Sequence, residues 1–206
     1  MLLVVGGQSS HVGKTALAAA LIRRLRSWHW TALKITQHGH GGCGNTGETC
    51  ECAPDPQNPF ALTEEYEPND TDSGRYLAAG AERSFWLRTP GGRLFESADL
   101  IRKIVDQSAN TIIESNSILD YFDPDLFLAV LDYQCDDFKD SMLRFLDRAD
   151  ACVIVDHGLA EPVWQTIAEG IWEEKPRFSV KPPSYVSAEV VAFVKTKLSP
   201  AAHVSR

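Results

Sequence analysis

Short runs of consecutive apolar residues alternate along this chain with stretches whose apolar positions recur three or four residues apart. The continuous runs are Leu2–Val5, the apolar part of Thr31–Gln37, Asn110–Glu114, Leu126–Leu131 and Ala151–Val155. Unbroken β-branched and aliphatic runs of that length are what strands buried on both faces require. Ala16–Leu25 is composed of strong helix formers, and Ser97–Gln107 places Leu100, Ile101, Ile104 and Val105 on one helical stripe. Thr71 or Asp72 can cap a short helix that stops at Gly80, with a strand following over Glu82–Arg88. Further helices are predicted over Phe138–Asp147, over Pro162–Glu174 through Trp164, Ile167, Ala168 and Ile171, and from Ser187 to Leu198, with a last short strand over Arg177–Val180. Strand and helix alternating from end to end predict an α/β fold: a doubly wound, mostly parallel sheet in a three-layer α/β/α arrangement.

The segment 38–70 breaks the pattern and is too long for a plain connection, so it reads as a loop insertion in a single domain spanning 1–206. Its first half places His38, His40, Cys43, Cys50 and Cys52 among five glycines, a set of imidazoles and thiols that could close a zinc site. The Cys-x-Cys pair is tighter than a common CxxC knuckle, and the alternative is a loop with free thiols. The Pro-rich, acidic second half reads as a covering loop.

A chain of 206 residues supports one sizeable core. The net charge of −8, without a long Lys/Arg run, argues against nucleic acid or an anionic membrane as partner. Five cysteines, an odd number unevenly spaced, suit reduced thiols or metal ligands better than a disulfide frame. With no apolar run near membrane-spanning length and no leader pattern before the first strand, the expected location is cytoplasmic.

The chemistry concentrates at the end of the first strand. Gly7-Gln8-Ser9-Ser10-His11-Val12-Gly13-Lys14-Thr15 is a Gly/Ser-rich turn between a strand and a helix. Small residues at a helix N-terminus let backbone N–H groups face an anion, aided by the helix dipole. Lys14 would reach the β- and γ-phosphates of ATP or GTP, and the Thr15 hydroxyl would bind Mg²⁺. The spacing departs from GxxxxGK[ST], because Gln8 stands where that pattern has its first glycine. The variant GxxxxxGKT after a strand resembles the loop of dethiobiotin synthetase and cobyrinic acid amide synthases, within the SIMIBI class of P-loop NTPases that includes MinD and ParA. Ser9 falls where MinD carries its signature lysine, so that dimer device is absent.

Further along, Lys34 near the end of the second strand resembles the lysine that dethiobiotin synthetase and molybdopterin-guanine dinucleotide biosynthesis protein B carry there, and the Asp72-Ser73-Gly74-Arg75 run resembles the latter family. The resemblance implies that Lys34 lies by the phosphate or substrate, Asp72 near Mg²⁺ or the attacking group, and Arg75 by a phosphate or substrate. Glu114 ends a buried strand where a Mg²⁺-holding acid is expected, although Ser115 and Asn116 replace the glycine that follows it in those relatives. Asp132 and Asp156 also follow strands and receive no role. The Asn-Lys-x-Asp guanine motif is absent, which makes GTP less favoured than ATP. Together these residues imply a Mg-dependent nucleotide enzyme that activates a small carboxylate or similar substrate. The alternatives are an accessory protein of molybdenum-cofactor assembly with a partner enzyme, and a metal-handling switch using the Cys/His loop. A homodimer is expected by analogy.

Overall fold

The computed structural model describes residues 1–38, 60–164, 167 and 170–199. One eight-stranded sheet runs in the order β3-β4-β2-β5-β1-β6-β7-β8. The strands are β1 (Leu2–Gly7), β2 (Trp30–His38), β3 (Ala61–Glu65), β4 (Arg83–Pro90), β5 (Asn110–Glu114), β6 (Leu126–Asp132), β7 (Ala151–Val155) and β8 (Arg177–Val180). All neighbours are parallel except the edge pair β3–β4. The predicted fold class therefore holds, and the strands expected from apolar runs lie where the sequence placed them.

Helices α1 (Lys14–Arg24), α2 (Asp72–Ala79) and α5 (Ala188–Leu198) cover one face of the sheet, where Leu17, Leu21, Tyr76, Val190 and Val194 pack on Leu3, Val5, Ile112 and Leu128. On the other face α3 (Ala98–Asp106) and the short α4 (Asp140–Leu143) set Ile101, Ile104 and Met142 against Leu33, Leu87, Ile113 and Phe127. Ile101 and Ile104 of the predicted α3 stripe are buried, while Leu100 and Val105 are partly so, and the central strands are covered on both sides. Thr71 caps α2, its hydroxyl accepting the Gly74 N–H at 3.0 Å, and Gly80 ends it at φ 104°. Ser187 caps α5 in the same way.

Three expectations need correction. The covering loop contains β3, whose half-exposed Ala-Leu-Thr-Glu-Glu lacks the apolar run by which the buried strands announce themselves. The helix expected over 162–174 is replaced, in its described part, by bends and turns. Gly170 adopts φ 96°, and Trp164 and Trp172 instead meet Tyr133 edge-on at 5.3 and 5.9 Å, a cluster that needs no helix. The helix over 138–147 shrinks to α4 and a 3₁₀ turn at Leu146–Arg148, while Phe138 leaves it to pack on Trp164. No helix among the described residues is long and apolar enough to cross a membrane.

Candidate functional site

β1 is the centre of the sheet, with β5 on one side and β6 on the other, and the chain leaves its C-terminal end into the Gly7–Thr15 loop. In a doubly wound sheet the crevice where neighbouring connections part is where ligands bind. The turn into α1 is made by Gly13 at φ 104°, a conformation that glycine adopts without cost. A Cβ at Gly13 would also lie 2.5 Å from the Tyr185 ring. The N–H groups of Lys14, Thr15 and Ala16, in the first turn of α1, have no acceptor among the described residues; the first helical bond runs from Leu17 N–H to Gly13 O at 2.9 Å. Ser9 is buried, while Ser10 and His11 are exposed and His11 takes φ 62°. Val12 joins the core.

Gln8 explains the unusual spacing. Its side chain is fully buried: Oε1 accepts the Asp132 N–H at 2.8 Å, and Nε2 donates to the Cys135 carbonyl. Its own carbonyl accepts the Lys139 N–H at 2.9 Å. A glycine here would lose both side-chain bonds and keep only the backbone bond to Lys139. Asn116 holds the other side, accepting the Gly7 N–H at 2.8 Å and donating to the Gly7 carbonyl at 3.0 Å. Gly6 makes room for it, since a Cβ there would fall 2.6 Å from Asn116 Oδ1.

Glu114 is the hub of the site and is only 2% exposed. Its Oε2 accepts the Thr15 hydroxyl at 2.7 Å and the Tyr76 hydroxyl, and its Oε1 receives the Lys34 ammonium. Register explains the meeting, because Lys34 on β2 lies directly beside Glu114 on β5. Lys34 Nζ also reaches Asp72 Oδ2 at 3.0 Å and Thr15 Oγ1 at 3.5 Å. One ammonium thus gathers the hydroxyl and both carboxylates expected to hold Mg²⁺. Hard oxygen donors of this kind suit magnesium, and a cation bound there would share Glu114 and Asp72 with Lys34.

The charges perturb one another. Burial works to lower the Lys34 pKa, but the Glu114 and Asp72 carboxylates outweigh it and hold the ammonium above its ordinary range. Burial works to raise the Asp72 pKa, and Lys34 overrides it downward. Lys14 has no such partner: burial, only partly offset by Glu114, lowers it to about 8, and its ammonium donates to the Ser9 carbonyl at 2.6 Å. Burial first, then the Glu114 charge, pushes the Tyr76 phenol well above its usual value, keeping it a proton donor to Glu114.

Of the residues singled out in the sequence, Lys14, Thr15, Lys34, Asp72 and Glu114 converge. Arg75 does not: it is exposed and lies 3.8 Å from Asp72 on the helix surface, an arrangement of small energetic weight. Asp132 closes β6 and meets His157 at 3.3 Å, and Asp156, just past β7, accepts the Gly158 N–H at 2.7 Å. His38 ends β2, with a buried Nε2 that has no partner among the described residues; His40, Cys43, Cys50 and Cys52 lie outside them. Among the described residues no group of three or more His, Cys, Asp or Glu side chains converges as a metal centre. Tyr76 and Asn116 were not singled out as site residues. Asn116 carried a signal, the substitution after Glu114, whereas an interior helix tyrosine carries none.

No family model and no curated protein matches this chain. Two solved structures are similar. The "apo" form of LpxK from Aquifex aeolicus in complex with ATP is 16% identical with a TM-score of 0.48, over 86% of this chain and 53% of LpxK. This chain therefore spans about half the length of LpxK. HypB from Helicobacter pylori in complex with nickel is 12% identical with a TM-score of 0.50, over 94% of this chain and 83% of HypB. At such identities the likeness is one of fold, and the fold is that of the P-loop NTPases.

Proposed function

We propose that this chain is a Mg-dependent nucleotide-binding protein that hydrolyses ATP or GTP or transfers its γ-phosphoryl group. The observation that carries the reading is the Thr15 hydroxyl bonded to the buried Glu114 carboxylate across the β1–β5 crevice, at the mouth of a glycine turn and a helix N-terminus. In this reading the amides of the Gly7–Thr15 loop and Lys14 cradle the phosphates. Thr15, Glu114 and Asp72 hold magnesium, which when bound supplies positive charge to the transferring phosphoryl group. Lys34 holds the two carboxylates turned to one point, so positioning is built before the nucleotide arrives.

Calorimetry with Mg·ATP and Mg·GTP tests the reading. The wild type is expected to bind at least one, and Lys14→Ala to bind about 10–100-fold more weakly, as removal of one or two charge-assisted bonds implies. No binding to the wild type, or equal binding to Lys14→Ala, would refute it.

Within this class we read the chain as belonging to cofactor biosynthesis, on the resemblance carried by Lys34, Asp72 and Glu114. Substrate-stimulated hydrolysis would mark an enzyme. Slow hydrolysis with a co-purifying enzyme would mark an accessory of molybdenum-cofactor assembly. A second reading, a metal-handling nucleotide switch, draws on His38 Nε2, buried and without a partner among the described residues, at the start of the Cys/His-rich stretch. It requires bound zinc or another transition metal in the purified protein and a nucleotide affinity that changes when the metal is removed.

A further inference from the structure

On the face covered by α2, the sheet's lining changes where that helix begins. Lys34 pairs with Trp86 and Thr36 with Arg88 in the β2–β4 register, so polar and aromatic side chains succeed the apolar ones beyond the N-terminus of α2. A cavity of about 290 Å³ opens there, lined by Lys34, Thr36 and Trp86 from the sheet and by Asp70, Thr71 and Asp72 at the helix start. It shares Lys34 and Asp72 with the Thr15–Glu114 centre, and therefore adjoins the position proposed for the γ-phosphate.

We infer that this cavity is the acceptor subsite and that it takes a neutral, hydroxyl-rich small molecule, a polyol or a sugar; the inference rests on the phosphoryl-transfer reading above. Counting Glu114 behind Lys34, Arg75 at 3.8 Å from Asp72 and Arg88 stacked 4.6 Å from the Trp86 ring, three cations stand against three carboxylates, so the lining has no surplus charge to draw an ionic acceptor. Lys34 already serves Glu114 and Asp72 and has little left to hold a third carboxylate. Hydroxyls fit the remaining valences: the aspartates accept, and the Thr36 hydroxyl, which accepts the Trp86 indole N–H at 3.0 Å, keeps its own proton to donate. With its nitrogen engaged, Trp86 offers carbon, which suits the C–H groups of a sugar. The volume lies at the lower end of small-molecule sites. This departs from the small carboxylate that the resemblance to dethiobiotin synthetase implies.

In transfer to such a hydroxyl, the acceptor oxygen bonds to the γ-phosphorus as the bond from that phosphorus to the β–γ bridging oxygen breaks, leaving its electrons on the nucleoside diphosphate. The hydroxyl proton passes to water, since a loose transition state asks little of a base.

The test reads the Trp86 indole N–H in a proton–nitrogen correlation spectrum of the full chain, assigned by its disappearance in Trp86→Phe. Glycerol, D-ribose and D-glucose are titrated against succinate to about 50 mM, enough to fill a site with a millimolar dissociation constant. A polyol or sugar is expected to move the signal saturably, and succinate is not. A signal moved by succinate alone, or by none of the probes, overturns the inference. Calorimetry with Mg-nucleotide on the same sample separates the two readings. Nucleotide binding with a silent indole defeats only the acceptor site, and a responsive indole without nucleotide binding defeats only the phosphoryl-transfer reading.

Discussion

Replacing Glu114 by glutamine changes one atom and one charge at the point where Thr15, Tyr76 and Lys34 meet. The amide oxygen can still accept both hydroxyls, which leaves the amide NH₂ facing the Lys34 ammonium, donor against donor. Breaking a buried ion pair from one side costs about 3–5 kcal/mol. Lys34 retains Asp72 at 3.0 Å and has a side chain 17% exposed, so the lower end, about 3 kcal/mol, is expected. In urea unfolding followed by tryptophan fluorescence without nucleotide, this lowers the midpoint by about 1 M, for an m-value of about 2–3 kcal/mol/M. The penalty sits on Lys34, so Lys34→Met combined with Glu114→Gln should recover at least half of it. A Glu114→Gln protein within about 0.5 kcal/mol of wild type, or a double variant showing the two losses simply added, would refute the hub as drawn.

Asn116→Ala removes both hydrogen bonds to Gly7 and leaves a buried peptide group unpaired, with an expected loss of about 1–3 kcal/mol by the same unfolding assay and a weaker nucleotide affinity by calorimetry; unchanged values in both would show that the clamp is idle. For Lys14, a folded pKa of about 8 against 10.5 means that the unfolded chain binds more protons between those values, so this group makes stability rise with pH across that window. Lys139, also lowered by burial, adds in the same direction, whereas the contribution of Lys34, whose pKa is raised, is full below 10.5 and is lost only above it. Urea midpoints measured from pH 8 to 9, below the range in which the raised Cys152 thiol acts in the opposite direction, should climb in the wild type and climb less in Lys14→Met, and an identical climb in both would contradict the buried, unpaired ammonium.

The parts of the fold and site that were legible in the sequence are those whose signal is local. Leu2–Val5, Ala151–Val155 and the Thr71-to-Gly80 helix each declare themselves through an apolar run or a cap, and their boundaries agree closely with the structure. Glu114 was legible because it closes β5; Lys34, expected near the end of its strand, lies in the middle of the longer β2, and the parallel register brings the two side by side. What stayed hidden depends on partners far away in the chain. β3 is defined by the neighbour it borrows hydrogen bonds from, not by its own residues. The Trp164–Trp172 stretch imitates a helical stripe, but its indoles are claimed by Tyr133 from another connection. Tyr76 looks like any core aromatic until its hydroxyl is traced 38 residues onward to Glu114.

Gln8 has a practical corollary. A search that insists on the commoner glycine at that place passes this chain over, and an engineer who restored the glycine to conform would strip away the two side-chain bonds to the 132–139 connection and leave only the backbone bond to Lys139. The oddity that makes the signature harder to spot is what fastens two distant loops together.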